Sequence, residues 1–589
     1  MRRIGLWIVS PIVIWGGGTR RWNTPSEEGW KRVADLLGER RAAARLQRPL
    51  RAIGVILCAV LSAGCPGRSD TAGPRGAVRA RTVELVVPDV AGLKEALRPL
   101  ADEWAAQTGH RVVLKSRGPA AAARSGRDGA VAPPQGEHEP AASGRPDGEG
   151  AADERSATVD GRLVITSLPD VATWEALHGA GGGGEAGRRL AAIPESIRQD
   201  ALMAWLDFFA GLRHISMRGN DPVLAPLKAP VLVLYYRRDL LEAAGLKPPE
   251  TWDDYRRLVV SLPRWAPGRT AVEPWAPEFR ATMFLARALA YARHVGNYSL
   301  FFDIQDGRPL IDRPGFTRAL AVTREILENL PRDVLGMTPR DCRDAFLGGR
   351  AALAIACEES LEAALRRVAA VRRSEDGETE RAVGGTERLE RPDELVAGFA
   401  ALPGTHEMFN VRTDRWEERP DGEVNRPTLI GFGSWAMIVP QIDREGDAAA
   451  WDLAAFLSTR QDSQTFPAEL KGLCRESQVT TFPDQLSTAW EAAERTRYVV
   501  TVAAELRRRE VVIELPVLGG DRFRAALTDG LTAALERGSS PEKALAAVAD
   551  RWRAIRDEFG PLRVLNSYRL SLGLDPLVRL PAGSPEPRR

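Results

Sequence analysis

The chain has 589 residues, which at roughly 100–200 residues per domain is too long for one ordinary core. Its 81 basic and 79 acidic residues give a net charge of +2, which gives no support for a dedicated nucleic-acid binder, because such proteins usually carry a clear basic excess. A mean hydropathy of -0.24 excludes a polytopic membrane protein. Two or three domains, or two lobes with extra segments, are therefore expected. Of the basic residues, 74 are arginine; this fits bidentate anion recognition, but a GC-rich genome explains it more simply, because Ala and Gly are abundant too.

A secretory signal is indicated before Cys65. An arginine-rich stretch at 40–51 precedes an apolar run at 52–63, and small residues follow, which is the order of a signal peptide. The ending Leu61-Ser-Ala-Gly-Cys65 resembles a bacterial lipobox, which implies lipidation of Cys65. The alternative is a short buried helix that ends in cysteine. We predict that residues 1–64 are an N-terminal extension plus lipoprotein signal.

The start of the chain departs from this pattern. Met1 lies far upstream of the signal, and no other methionine precedes Cys65. We expect translation to begin at a non-ATG codon near Val33 or Leu36. The apolar run at 4–15 is too short to span a membrane, which takes about 20 residues. Residues 65–80 are polar and without apolar periodicity, and they are predicted to form a tether.

An α/β sheet is predicted from the next elements. A buried strand at 81–87 is followed by a helix at 92–108 and a second strand at 111–115. This strand–helix–strand order requires parallel pairing, which is typical of α/β proteins. A third strand is predicted at 163–167.

Two inserts and a tail interrupt or follow this pattern. Residues 118–161 contain no Leu, Ile, Met, Phe, Tyr or Trp, and residues 372–394 are similarly polar. Such segments bury too little apolar surface to offset the entropy of ordering, so disorder is predicted. Residues 567–589 are predicted to be a Pro-rich tail.

The stretch 229–258 carries a family resemblance. It contains an apolar strand at 231–236, a short helix that ends at Gly245, a Pro-Pro turn, and Thr251 followed three residues later by Asp254, close to a capping box. This order resembles the crossover segment of bacterial extracellular solute-binding proteins, the maltose-binding-protein-like receptors of ABC importers.

Further segments resemble the same family in the same order. They are residues 302–319, 344–357, 396–404, 429–440, 451–466 and 523–555. The resemblance implies an α/β, two-lobed periplasmic-binding-protein-like (type II) fold with an interlobe ligand cleft. We predict that residues 81–235 with 430–480 form lobe 1, and that residues 236–429 with 481–566 form lobe 2.

Candidate ligand-binding residues follow from where strands end, since sites in open α/β sheets lie beyond the carboxyl ends of strands. Asp89 follows the first strand, and Ser167 and Asp170 follow the third. The resemblance implies that aspartates there accept hydrogen bonds from sugar hydroxyls; for Asp170 a plain helix N-cap is the alternative. Trp435, on a Gly-rich return strand, is predicted either to stack on a sugar or to pack in the core.

The second lobe offers other candidates. Where sugar-binding members of the family place an aromatic residue after a buried strand, this chain has Glu358 and Glu359. Either the ligand is more polar or cationic, or these carboxylates accept hydroxyl hydrogen bonds. Trp275 and Asn297 lie in a loop-rich region and are further candidates.

Cysteine and histidine positions predict neither a metal site nor a cofactor. The five cysteines and six histidines show no ligand spacing. Outside the leader, Cys342, Cys357 and Cys474 are an odd number, so at least one thiol stays free. A Cys342–Cys357 bridge is left open.

The resemblance implies a periplasmic or extracytoplasmic lipoprotein, anchored to the membrane through Cys65 and monomeric. It would bind a sugar or related polyol, deliver it to ABC permease subunits, and bind no nucleic acid. The chain lacks GxSxG, HExxH and GxxxxGK[ST] motifs, which argues against an enzyme. A non-transport ligand sensor and, less favoured, a secreted enzyme are the alternatives.

Overall fold

The computed structural model describes residues 79–116, 158–178, 190–358, 392 and 394–580. The strands and helices given below lie within Ala80–Arg589. The predicted leader, lipidation site and nearly all of the tether lie outside the described residues, as do most of the two predicted inserts.

The strands fall into two main sheets and three short pairs. Their bounds are β1 Thr82–Val87, β2 Arg111–Ser116, β3 Gly161–Thr166, β4 Met217–Arg218, β5 Asp221–Pro222, β6 Leu224–Lys228, β7 Val233–Arg237, β8 Thr270–Val272, β9 Ala351–Ala356, β10 Ala397–Ala400, β11 Glu407–Asn410, β12 Arg415–Glu418, β13 Thr428–Ile430, β14 Trp435–Ile438 and β15 Val511–Ile513.

Helices cover and connect these sheets. Their bounds are α1 Leu93–Thr108, α2 Val171–His178, α3 Glu195–Arg198, α4 Ala210–Ile215, α5 Arg238–Ala243, α6 Trp252–Trp265, α7 Pro277–Ala292, α8 Pro314–Leu327, α9 Pro339–Leu347, α10 Arg444–Thr459, α11 Gln478–Thr481, α12 Ala492–Arg507, α13 Gly520–Leu535, α14 Pro541–Phe559 and α15 Pro561–Ser571. Short 3-10 turns occur at Trp205–Asp207, Arg332–Gly336, Ala468–Leu470 and Phe482–Gln485.

The first lobe is built on a five-stranded sheet of order β2-β1-β3-β14-β6. β1 pairs in parallel with β2 and β3, as the strand–helix–strand pattern predicts, and β14 runs antiparallel to β3 and β6. Helix α1 begins after Gly92 and ends at Gly109, both with positive φ, which glycine adopts without steric cost. The first three predicted strands and this helix are confirmed.

The second lobe is built on a four-stranded sheet of order β10-β7-β9-β8. β9 is entirely buried, and α9 packs against it. The predicted capping box at α6 is present: the Thr251 hydroxyl accepts from the Asp254 N–H, and the Asp254 carboxylate accepts from the Thr251 N–H. Helices α7 and α8 pack in turn against α13 and α14.

The chain crosses between the lobes at 229–232, between β6 and β7, and at 431–434, just before β14. β7 pairs wholly within the second sheet, so the first crossing precedes Val233 and not residue 236. The parallel pair β13–β15 lies beside the second crossing. Two sheets, each with its own helices, confirm the predicted two-lobed α/β fold.

The end of the chain differs from the predicted tail. Helix α15 continues through Ser571, and Leu565 and Tyr568 on it are buried. Burial of apolar side chains offsets the entropy of ordering, and the short apolar spacing here escaped the sequence analysis. Only residues 581–589 of the predicted tail lie outside the described residues.

Three cysteines lie in the described part of the chain. Cys342, Cys357 and Cys474 are buried free thiols, so the structure contains no Cys342–Cys357 bridge. Among the helices of the described residues, none combines the length and apolarity needed to cross a membrane.

Candidate ligand-binding site between the lobes

The wall contributed by the first lobe is the turn after β3. The Ser167 hydroxyl donates to Asp170 Oδ2 over 2.7 Å, and the Asp170 N–H donates back to Ser167 Oγ over 3.3 Å. The Trp174 N–H donates to the carbonyl of Asp170, so this residue stands immediately before α2. Asp170 therefore occupies an N-terminal helix position, but its carboxylate is held by a neighbouring hydroxyl.

The wall contributed by the second lobe is the segment after β15 and the start of α13. Glu514 is fully buried and accepts from the Thr282 hydroxyl over 2.9 Å. Its other oxygen lies 2.8 Å from Nε of Arg524. A buried carboxylate of the second lobe is thus ion-paired with the Arg524 guanidinium.

Charged groups of the second lobe influence the pKa of Asp170 on the first lobe. Burial raises the pKa of the Asp170 carboxyl; the Ser167 hydroxyl and the charge of Arg524 oppose the rise, and the charge of Asp521 adds to it. Arg524 and Asp521 lie on α13 of the second lobe, and Asp170 lies on the first. Charged groups of both lobes therefore share one polar environment.

The crossing strand at 431–434 passes between these walls. Gly431 has φ 153°, and a Cβ placed on it would lie 2.7 Å from Cβ of Glu514 and 3.2 Å from Cγ of Pro169. The Ser434 hydroxyl donates to the Gly431 carbonyl over 2.5 Å and accepts from the Leu168 N–H over 3.3 Å. Glycine is needed here because both walls approach the backbone directly.

Trp435 and Asp89 are the remaining first-lobe candidates. Trp435 is half-buried at the start of β14, opposite Lys228 of β6, and it packs against the core while keeping part of its surface exposed. Packing against the core is observed, and stacking on a ligand stays a prediction for this ring. Asp89 is exposed just beyond β1.

Trp275 is in the interior of the second lobe. It is fully buried, and its indole N–H donates to Glu273 Oε2 over 2.8 Å. The same carboxylate forms a buried ion pair with Arg287 at 2.7 Å. The structure therefore places Trp275 within a packed polar cluster with Glu273 and Arg287.

Glu358 is also interior. Its carboxylate accepts from the Tyr235 hydroxyl over 2.9 Å and lies 3.7 Å from Nη1 of Arg343. Its N–H donates to the Tyr498 hydroxyl over 2.8 Å. Burial raises the pKa of Glu358, although Arg343 and Tyr235 lower it. The adjacent Glu359 lies outside the described residues.

Asn297 is 4% exposed in the loop after α7. Neither atom of its side-chain amide has a hydrogen-bond partner among the described residues, whereas its carbonyl accepts from Arg293. Nothing brings it together with Ser167 or Asp170, so its role in ligand binding stays a prediction.

The structure brings together Ser167 and Asp170 and adds three groups that sequence analysis missed, Glu514, Asp521 and Arg524. The missed groups follow the run Val511-Val-Ile513, which is β15, so the strand-end rule would have found them had that short run been recognised. Within the described residues, no group of three or more His, Cys, Asp or Glu side chains is placed to hold a metal ion.

Two α/β lobes, the segments that cross between them and polar groups from both walls define a two-lobed binding protein with a candidate site between the lobes. Residues 189–473, just under half of the chain, match the family described as bacterial extracellular solute-binding protein. This match confirms the resemblance drawn from residue patterns. No match is found among curated proteins.

Solved structures with a similar fold include maltose-bound MalE3 of T. maritima, which is 17% identical with a TM-score of 0.46, over 81% of this chain and 100% of that chain. The sugar-binding protein MalE of Xanthomonas citri is 16% identical with a TM-score of 0.49, over 81% and 99%. A ribitol-bound ABC transporter solute-binding protein of Agrobacterium radiobacter K84 is 17% identical with a TM-score of 0.47, over 81% and 98%. These scores are below 0.5, so the likeness to the family rests on the sequence match.

Proposed function

We propose that the chain is a lipid-anchored extracytoplasmic receptor that captures a small polar solute between its lobes and delivers it to an ABC importer. The observation that carries the proposal is the family match over residues 189–473. The solute is proposed to be a carbohydrate or polyol, the class to which the maltose and ribitol of similar structures belong. The anchor is proposed at Cys65, and the working state is a monomer without cofactor.

The geometry supports hydroxyl recognition. The carboxylate of Asp170 accepts hydrogen bonds from solute hydroxyls, and the Arg524 guanidinium donates to solute oxygens from the opposite lobe. Trp435 offers an apolar face at the edge of the site, and Asp89 lies beyond the neighbouring strand. Because the acceptor and the donor belong to different lobes, one solute bridges both, which favours closure.

The site is proposed to bind its solute without turnover. The family that residues 189–473 match is one of solute-binding proteins. The Asp170 carboxylate accepts from the Ser167 hydroxyl, and Arg524 is ion-paired with Glu514. We therefore expect binding without conversion of the solute.

A thermal-shift screen of the purified protein against sugars, sugar alcohols, amines and glycerol phosphates tests the proposal. We expect a sugar or polyol to raise Tm, with about 2.7 kcal/mol of added stability when its concentration is 100 times Kd. Calorimetric titration then gives the stoichiometry, for which we expect one solute per chain. A rise in Tm with amines alone would overturn the carbohydrate assignment, and release of product from a stabilising solute would overturn the receptor assignment.

A further inference from the structure

Helix α15 lies outside the residues that match the solute-binding family, since that match ends at residue 473. It follows α14 after Gly560, and Pro561 occupies its first turn. Its buried side chains include Val564, Leu565 and Tyr568. Contacts with parts of both lobes cover this apolar face.

One set of contacts fastens α15 to the second lobe. The Tyr568 hydroxyl accepts from the N–H groups of Leu300 and Phe301 over 3.0 and 3.1 Å. Arg569 donates to the carbonyl of Ile304 over 2.6 Å. These partners lie on the loop between α7 and α8, and one hydroxyl that satisfies two backbone donors is a strong anchor because buried N–H groups need acceptors.

A second set of contacts places α15 against the first lobe. The helix packs on α2, which begins next to Asp170. The turn after α15 reaches the β4–β5 hairpin, where a Cβ on Gly573 would lie 3.9 Å from backbone atoms of Met217 and Gly219. The hairpin is itself tied to α2, because Arg218 pairs with Glu175 through two hydrogen bonds of 2.9 and 3.1 Å.

A third contact links α15 to the candidate ligand site. The Leu518 N–H donates to the Ser567 hydroxyl over 2.9 Å. Leu518 precedes α13, the helix that carries Asp521 and Arg524. One residue earlier, the Val517 carbonyl accepts from the Thr173 hydroxyl of α2 over 3.5 Å. The helix α15 thus touches the elements that bear both walls of the site.

We infer that α15 is an interlobe latch, which holds α2 of the first lobe against the second lobe when no solute is present. Opening at this edge separates α2 from α15, because the anchors at Tyr568 and Arg569 keep α15 on the second lobe. The latch therefore sets part of the free energy of opening. That the opening admits a solute rests on the proposed function, whereas the latch itself is a property of the protein alone.

The variant Tyr568→Phe tests the latch in the full chain without solute. It keeps the ring, which lies 5.5 Å from that of Phe302, and removes the acceptor of two buried N–H groups. We expect roughly tenfold faster amide exchange in α15 and also in α2, together with a larger radius of gyration in small-angle scattering. The matched control is Ser571→Ala, because that hydroxyl donates only to the Tyr568 carbonyl of its own helix.

The exchange of α2 decides the result. Faster exchange confined to α15 and the loop 300–304, with α2 and the radius of gyration unchanged, would overturn the latch and leave α15 as an ordinary part of the second lobe. No change in any of these would overturn it equally. If Tyr568→Phe does not fold, the milder Ser567→Ala removes the Leu518 link and is judged by the same exchange in α2. A failed solute screen would instead reject the proposed function and leave this result standing.

Discussion

Asp170 and Glu358 make an instructive pair, because each lies just beyond the end of a buried strand in its own lobe. Burial raises the pKa of both carboxyls. Asp170 faces charged groups of the other lobe, whereas Glu358 is enclosed by side chains of its own lobe. The same position relative to a strand thus gives a group proposed to contact a solute in one lobe and a structural group in the other.

What packs over the strand end explains the difference. The hydroxyl of Tyr235 donates to Glu358. Its ring makes edge contacts with four other rings, at centroid distances of 5.0–6.0 Å: Phe346, Phe399, Trp490 and Tyr498. The turn at Asp170 is covered instead by the opposite lobe. A polar residue after a strand therefore does not by itself indicate a ligand site; what packs over it must be known as well.

The largest expected effect is loss of stability in Glu358→Ala. The change leaves the Tyr235 hydroxyl and Arg343 without their buried partner, and breaking a buried pair costs about 3 kcal/mol. Urea denaturation measures the free energy of unfolding. Glu358→Gln, which keeps an oxygen to accept from Tyr235, is expected to lose about 1 kcal/mol. An unaltered midpoint for the alanine variant would show that Glu358 is not held as described.

Asp170→Asn is expected to give the opposite outcome. It removes a charged acceptor from the interlobe site, so affinity for the stabilising solute should fall roughly tenfold or more. The free energy of unfolding should stay within about 0.5 kcal/mol, because the amide oxygen still accepts from Ser167. Calorimetry with Asp102→Asn, an exposed charge removal on α1, as control checks this. Equal affinities for the two variants would contradict the site.

The smallest expected effect is a change in the pH dependence of stability in Asp447→Asn. Asp447 is a buried carboxylate of the first lobe, and it accepts a hydrogen bond from the backbone N–H of Ile442. Burial raises its pKa to about 6. The folded state therefore binds the proton more tightly than the unfolded state, and stability is lost as pH rises from about 4 to above 6. Asp447→Asn should remove that loss, on the order of 1 kcal/mol after allowance for partial solvent access. Urea midpoints at about pH 5 and pH 7.5 measure it, and an unchanged pH dependence would refute it.

Much of the fold was predictable because its signals are local. Patterns of only a few residues predict three of its elements: the apolar run of β1, the glycines at both ends of α1 and the Thr251 cap of α6. Family resemblance supplied the two-lobed arrangement. The first crossing was misplaced by a few residues, because the apolar run at 231–236 continues through the crossing into β7 without a change in composition.

The candidate site was predictable only on the first lobe. Ser167 and Asp170 follow a long, obvious strand, whereas Arg524 follows β15, whose three residues give too short a run. Trp275 and Glu358 have the residue types of a ligand site, and only packing shows that their neighbours enclose them. Contacts between distant parts of a chain, such as α15 with α2, leave no local pattern in sequence.

Gly431 determines how closely the two lobes can approach each other. With only a hydrogen where a side chain would stand, the turn at Pro169 and the segment at Glu514 come to rest against the backbone of the connecting strand. At this point one peptide of the connecting strand separates the two lobes. A methyl group at this position would contact both Pro169 and Glu514, so it would keep the two lobes further apart with any solute bound between them.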